Sequence, residues 1–154
     1  MNPLLNILPK LKPGYLSTIE IRIHKLEGDK MKRMVELEQW KQAKYFTMSG
    51  FHCENDFYVI PLFYLHHFKT FDVIQKQLSV EDIRQIKEIL FNSPSFEYCL
   101  IRLINRFDTN LIRNEFGDAI EGRPDTYHYP APNSQEFFEI YGREWEIKIT
   151  RKQK

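Results

Sequence analysis

The sequence has little of several features that mark specialised classes of protein. It contains two cysteines, six glycines and eight prolines among 154 residues, and its formal net charge is +1. Two cysteines are too few for the disulfide framework of a small secreted domain, and so few glycines exclude a collagen-like chain. No run of about 18 uncharged apolar residues occurs, so we expect no insertion into a membrane. These absences leave a soluble globular domain with reduced cysteines.

The N-terminal segment does not have the pattern of a targeting signal. Residues 1–14 are apolar, but they lack a basic start, and three prolines interrupt the apolar run that a signal peptide needs. We therefore expect a cytoplasmic protein. Because proline favours an extended path, we interpret residues 1–14 as an N-terminal apolar arm. A single α+β domain (15–149) and a basic C-terminal tail (150–154) follow it. No internal repeat is evident.

Three segments have the composition of β-strands. Isoleucines alternate with polar residues within 15–26, and apolar residues alternate again within 144–150, as half-buried strands require. Residues 57–62 form a continuous aromatic and aliphatic run, which is typical of a buried strand. Residues 30–46 favour a helix by composition, although a strand that pairs back as a hairpin through Gly28 stays open.

Helices are predicted for much of the remaining chain. Ser79 and Asp82 have the spacing of a capping box, and the isoleucines that follow have helical spacing. Apolar residues between 96 and 107 recur at spacings of three and one, which predicts a second helix. Together these two helices would form an αα-hairpin at 79–107.

The C-terminal third is less regular. Residues 108–133 are interrupted by glycines and prolines and predict a long loop, whose order the sequence leaves open. Asn133 or Ser134 can cap a short helix after it. The predicted fold is therefore of the α+β class, with a small, mainly antiparallel or mixed sheet packed against helices that include the αα-hairpin.

One motif resembles a known catalytic pattern. Pro124-Asp125 followed by Glu146-Ile147-Lys148 is similar to the PD-(D/E)xK pattern of metal-dependent nucleases. The resemblance implies that Asp125 and Glu146 would hold Mg²⁺, a hard cation that prefers carboxylate oxygens, and that Lys148 would help to activate water. The alternation of apolar and polar residues within 144–150 gives a second interpretation, in which Glu146 and Lys148 are the solvated face of an ordinary strand.

Other chemical motifs are missing. No glycine-rich phosphate loop and no GxSxG elbow occurs. His52-Cys53 and His66-His67 do not have the spacing of a zinc site, so we predict no metal ligands. We accordingly expect no cofactor, and the chain leans away from being an enzyme.

The remaining features indicate contacts with a protein partner. The arm places Leu4, Leu5, Leu8 and Leu11 on a short segment that cannot bury them within itself. Tyr127 and Tyr129 lie in a segment stiffened by proline, as recognition surfaces often are. We therefore predict a non-catalytic protein-interaction module: an inhibitor, an immunity-type factor, an adaptor or an assembly component. The arm leucines and these two tyrosines would bind the partner.

Nucleic-acid binding is a further alternative. The chain ends in a basic stretch, Lys148, Arg151, Lys152 and Lys154, which could bind phosphates. The aromatic residues could in principle stack on bases, but no RNP1, GXXG or basic stripe accompanies them. The sequence leaves the oligomeric state open.

Overall fold

The fold is that of a computed structural model, which describes residues 3–22, 28–50 and 60–154. Its elements, in chain order, are α1 (Pro3–Ile7), a 3-10 helix (Leu8–Lys10), β1 (Thr18–Arg22), α2 (Gly28–Val35), α3 (Glu38–Gln42), β2 (Tyr45–Ser49), a 3-10 helix (Leu62–Leu65), β3 (Thr70–Gln75), α4 (Val80–Asn92), β4 (Tyr98–Leu103), α5 (Asn110–Phe116), β5 (Thr126–Pro130), β6 (Phe137–Arg143) and β7 (Glu146–Lys152).

All seven described strands belong to one sheet with the order β1-β2-β3-β4-β7-β6-β5. The first four strands are parallel neighbours in sequence order. The last three form an antiparallel meander, which joins the parallel part where β7 pairs with β4. The sheet is therefore mixed, as one of the two predicted alternatives required, and the α+β class is confirmed.

The parallel half is built from a repeated unit. A six-residue pattern (apolar, polar, Thr or Tyr, apolar, any, apolar) occurs at 16–21, 43–48, 68–73 and 96–101. The strand register aligns these segments, since Thr18 pairs with Tyr45, Tyr45 with Thr70, and Thr70 with Tyr98. The repeat period is thus 25 to 28 residues, and the expectation of no internal repeat is wrong.

The same hydrogen bonds recur from one unit to the next. The Ser17 carbonyl accepts from the amides of Lys44 and Tyr45, at 2.8 and 3.0 Å. The carbonyls of Lys44 and Lys69 each accept from two amides of the following unit in the same way. Each unit therefore docks on its neighbour through equivalent contacts, as in a solenoid.

The core lies on one face of the sheet. The buried residues of β1 to β4, β6 and β7 alternate along each strand and point to the same side, because register partners share a face. In β5, Tyr127 points to that side and Thr126 is buried on the other face. Parallel crossovers are right-handed in almost all proteins, and these strands advance in one direction, which places the crossover helices on that same side. A single hydrophobic cluster results, with Trp40, Phe68, Phe96 and Phe138 among its largest members.

The predicted αα-hairpin at 79–107 is wrong in its second half. Its first helix is confirmed as α4, which begins with the expected capping box between Ser79 and Asp82. Residues 98–103 form β4 instead of a helix, and Cys99, Ile101 and Leu103 are the buried residues. The apolar run fits both periods, and pairing with β3 and β7 decides in favour of the strand.

Other predicted elements also need correction. The segment 30–46 contains two short helices, α2 and α3, and then enters β2. Residues 57–59 lie outside the described residues, and Leu62–Leu65 is a 3-10 helix rather than the end of a strand. The predicted loop at 108–133 holds α5 and β5, and the predicted short helix after it is β6. Asn133 has a positive φ of 55°, so it belongs to the hairpin turn between β5 and β6.

The first and last strands of the chain, β1 and β7, were predicted correctly. β1 lies within 15–26 and β7 begins within 144–150. β7 continues to Lys152, through the predicted domain boundary at residue 150. None of the described helices is both long enough and apolar enough to cross a membrane.

Candidate functional site: the open face of the sheet

The second face of the sheet lies opposite the core, and we call it the open face. It carries the alternate residues of each strand, which are half-buried or fully exposed except for Thr126. The aromatic and charged residues of this face are Glu20, Arg22, Tyr45, Asp72, Tyr98, Arg102, His128, Phe137, Glu139, Tyr141, Arg143, Glu146, Lys148 and Lys152.

An ion pair lies at the centre of the open face. The Arg102 guanidinium on β4 donates a 2.7 Å hydrogen bond to the Asp72 carboxylate on β3, and another of 3.3 Å to the Met48 carbonyl on β2. Burial raises the pKa of the Asp72 carboxyl, although Arg102 opposes this shift. The Arg102 Nε is buried, and no hydrogen-bond partner for it occurs among the described residues.

Tyr98 lies beside this pair on β4. Its hydroxyl has a raised pKa, first because of burial and second because of the nearby Asp72 carboxylate. The hydroxyl therefore stays protonated at neutral pH and can donate a hydrogen bond to a group that docks on the face.

The meander adds a cationic and aromatic cluster. The Tyr141 ring on β6 lies between the Lys148 ammonium at 5.6 Å and the Arg143 guanidinium at 5.4 Å from its centroid. Along β6 from Tyr141, the Phe137 ring lies 4.5 Å from the ring of His128 on β5. Aromatic rings flanked by cations give a surface that can contact both apolar and acidic groups.

The leucines of the predicted arm do not share one surface. Leu8 is buried at 2% exposure, and Leu5 is half-buried against the same core. Leu11 is 38% exposed. Leu4 lies in α1, and its side chain is outside the described part of the chain. The structure therefore assigns part of this arm to the core.

The two predicted tyrosines lie on the core side of β5. Tyr127 is 5% exposed, and burial raises the pKa of its hydroxyl. Tyr129 is half-buried, with its ring centroid 5.3 Å from that of Phe116. The Lys87 ammonium lies over both the Phe116 and Tyr129 rings. Tyr129 also lines a cleft of about 310 Å³ with Phe91, so it has an accessible part.

The residues of the nuclease-like motif are only partly brought together. Glu146 and Lys148 lie on the open face of β7, as alternation predicts. Asp125 precedes β5, and its Oδ2 lies 3.1 Å from the Arg143 Nε. The described residues contain no group of three or more His, Cys, Asp or Glu side chains placed to hold a metal ion. The Asp125 carboxylate is therefore already paired with the Arg143 guanidinium.

The basic side chains of β7 near the C-terminus point to both faces of the sheet, because they lie at both odd and even positions of the strand. Lys148 and Lys152 point to the open face, whereas Arg151 points to the core side. The Arg151 guanidinium donates to the carbonyls of Ser93, Pro94 and Phe96 and pairs with Glu136 at 2.8 Å. Arg151 is therefore a packing residue rather than a free cation.

A second surface lies among the helices. A cleft of about 400 Å³ is lined by Trp40, Phe63, His66 and His67, and the Phe63 side chain is 62% exposed. The His67 Nε2 bonds the Trp40 carbonyl at 2.8 Å, and burial lowers the pKa of its imidazole. These two histidines are therefore side chains of a packed aromatic cluster.

Sequence reasoning missed Tyr98, Asp72 and Arg102. For Tyr98 and Asp72 the sequence did contain a signal, because the repeated six-residue pattern places these residues at its third and fifth positions. In a strand whose fourth and sixth positions are buried, these positions face the opposite side.

Two comparisons with known proteins relate this chain to others. The FTH domain family matches residues 1–118, which contain β1 to β4 and α1 to α5. The F-box A protein 224 of Caenorhabditis elegans is 26% identical over 106 residues, which are 68% of this chain and 26% of that protein. The chain thus matches about a quarter of the length of this relative. No solved structure matches. Because the family covers well over half of the sequence, the chain belongs to the FTH domain family.

Proposed function

We propose that this FTH domain is a non-catalytic protein-interaction domain that binds its partner through the open face of the sheet. The observation that carries the proposal is a seven-stranded sheet with its core on one side and tyrosine, arginine and lysine side chains on the other. Sheets built from repeated units present extended surfaces of this kind to their partners.

The residue types of the open face suit a protein interface. Tyrosine and arginine are enriched where protein partners bury their contacts, and Tyr45, Tyr98, Tyr141 and Arg102 lie on this face. Because adjacent strands hold these side chains in register, little entropy is lost when a partner docks.

The relative supports the same class of function. Its name describes it as an F-box protein, and this chain matches a quarter of its length. We infer that the FTH domain supplies partner recognition, in the role of an adaptor, an inhibitor, an immunity-type factor or an assembly component.

The chemical state of the candidate catalytic groups favours binding over catalysis. Burial strongly raises the pKa of the Cys99 thiol, so its nucleophilic thiolate is scarce. Arg143 engages Asp125, and Arg102 engages Asp72. Neither the family nor the relative supports the nuclease alternative.

A substitution at the centre of the open face tests the proposal. Leu100 is half-buried between Asp72 and Lys148 in the register, and Leu100→Glu replaces its apolar contact surface there by a carboxylate. Asn114→Glu is the matched control, because Asn114 is exposed on α5, on the helix side. Proteins that co-purify with each form are quantified by mass spectrometry, and the binding of each recovered protein is then measured with purified components.

We expect at least one protein that binds the wild type and Asn114→Glu with equal affinity and loses about tenfold or more with Leu100→Glu. Thermal unfolding of both variants checks that they remain folded. The proposal is wrong if every recovered protein binds folded Leu100→Glu as well as it binds the wild type.

A further inference from the structure

We propose that the open face binds an acidic, extended segment of its protein partner, and that Lys148 and Lys152 of β7 hold the carboxylates of that segment. This inference rests on the proposed function and adds the chemistry of the partner. Both lysines lie beyond the 1–118 family match, so they belong to the part of the chain that the meander adds to the FTH domain.

The charges of the open face leave these two cations unpaired. Arg22 lies 3.8 Å from Glu20, and the Arg102 and Arg143 guanidinium groups each bind an aspartate. Lys148 and Lys152 are exposed, and neither has a carboxylate oxygen within 4.0 Å in the part of the chain that the structure describes. Two such ammonium groups on one strand attract the carboxylates of a partner without competition from an ion-paired carboxylate among the described residues.

The spacing of the two lysines suits an extended chain. They are four residues apart on β7 and face the same side, which places their Cα atoms about 13 Å apart. Each lies opposite an aromatic residue of β6, Lys148 opposite Tyr141 and Lys152 opposite Phe137. Leu100 lies on the other side of Lys148. A segment with carboxylates about four residues apart could therefore bind both ammonium groups while its apolar side chains contact the rings.

The acidic residues of the same face favour a protein segment over a nucleic acid. Glu139 and Glu146 lie on the strands that carry the cluster, and Asp72 lies two strands away from Lys148. A nucleic-acid strand carries a charge at about every 3.4 Å, so several phosphates would lie against these carboxylates. A peptide can place its two carboxylates at the lysines and present neutral residues to the glutamates.

Selection of peptides from a random library tests directly whether the open face prefers acidic segments. A phage library of random 12-residue peptides is selected on the folded wild-type chain, on Lys148→Glu/Lys152→Glu and on the matched control Lys32→Glu/Arg33→Glu, whose positions are exposed on α2. The neutral variant Lys148→Gln/Lys152→Gln serves if the charge reversal unfolds the chain. Synthetic copies of the enriched peptides and a fluorescent 20-nucleotide RNA are then titrated against each protein.

We expect wild type and control to enrich peptides with two acidic residues near a four-residue spacing. Their affinity should fall about tenfold or more with the β7 variants, and it should weaken as salt is raised. The enriched peptides are also titrated against Leu100→Glu. Peptides that lose binding with Leu100→Glu but carry no acidic preference would overturn this inference and leave the proposed function standing. RNA binding that depends on the same lysines would overturn it in favour of a nucleic acid. Peptides that bind all variants equally would contradict both proposals.

Discussion

Arg102 and Asp72 form their ion pair diagonally across the sheet. In the register, Asp72 lies opposite Leu100 and Arg102 lies opposite Ile74, so the guanidinium reaches back along β3 to make the 2.7 Å bond. The same guanidinium nitrogen also bonds the Met48 carbonyl of β2. One side chain therefore joins three parallel strands at the centre of the open face, beneath any partner that docks there.

This pair makes the pKa of Asp72 depend on Arg102. Burial already raises this pKa above the ordinary value of 3.8, and Arg102 holds it down. We expect Arg102→Gln to raise the pKa further, because it removes the cation that opposes the effect of burial. Carboxyl NMR titration measures the change, and Arg22→Gln, on the same face, is the control that leaves the pKa of Asp72 unchanged. An unaltered Asp72 titration in Arg102→Gln would contradict the assignment.

The raised pKa of Asp72 makes the free energy of unfolding depend on pH. Because the folded-state pKa of Asp72 is raised, the contribution of this carboxyl is fully present below the unfolded-state pKa and declines as pH rises through the folded-state pKa. In Arg102→Gln this decline should be larger and extend to higher pH. Free energies of unfolding measured from pH 3 to 7 in both proteins check the sign.

The capping box should stabilise α4 measurably. The Ser79 hydroxyl accepts from the Asp82 amide at 3.1 Å, and the Asp82 carboxylate accepts from the Ser79 amide at 2.7 Å. We expect Ser79→Ala to lower the free energy of unfolding by about 1 kcal/mol. Urea denaturation measures it, with Ser95→Ala at an exposed position as the control that changes it by less than about 0.5 kcal/mol. Equal effects of the two substitutions would argue against the cap.

Gly142 on β6 is required by the packing of α5. A Cβ at this position would lie 2.1 Å from the Cδ1 of Ile112, which is fully buried. We expect Gly142→Ala to cost about 1–3 kcal/mol through overpacking. Ile112→Val removes that methyl group and should cost about 0.5–1.5 kcal/mol alone. The double variant should lose less free energy of unfolding than the sum of the two single losses. Chemical denaturation measures all three variants, and strictly additive losses would contradict this contact.

Arg151 and Lys152 are adjacent and should behave differently. The Arg151 side chain is 16% exposed and bonds three backbone carbonyls and Glu136, whereas Lys152 is exposed. We expect Arg151→Ala to lower the free energy of unfolding by about 2 kcal/mol or more, since it leaves those carbonyls without their donor. Lys152→Ala should change it by less than about 0.5 kcal/mol. Similar stabilities would mean that Arg151 is also a surface cation.

The elements predicted correctly are those whose local signal has one interpretation. The capping box starts α4 because Ser79 and Asp82 satisfy each other's amides without help from the rest of the chain. The alternation in β1 and β7 is equally local. The segments 96–107 and 133–142 failed because their apolar residues fit both a helix and a strand, and only pairing with neighbouring strands distinguishes the two.

The candidate site was harder to predict for the same reason. The arm leucines and the tyrosines at 127 and 129 were predicted to bind a partner, yet Leu8 and Tyr127 are buried in the core of the chain itself. Asp72 and Arg102 are 30 residues apart and meet through strand order. Asp72 occupies the fifth position of the repeated pattern, whereas Arg102 follows the last position of its own unit, and the pairing of β3 with β4 brings the two to one face.

The sequence by itself determined the α+β class, the start of α4, the alternating first and last strands of the chain, and the solvated side of β7 with Glu146 and Lys148, because each depends on neighbours a few residues away. The tertiary structure decided that β7 pairs with β4, and that Arg151 binds the carbonyls of Ser93, Pro94 and Phe96 on the core side. Those outcomes depend on contacts between residues tens of positions apart, whose free energy exists only after the chain has folded.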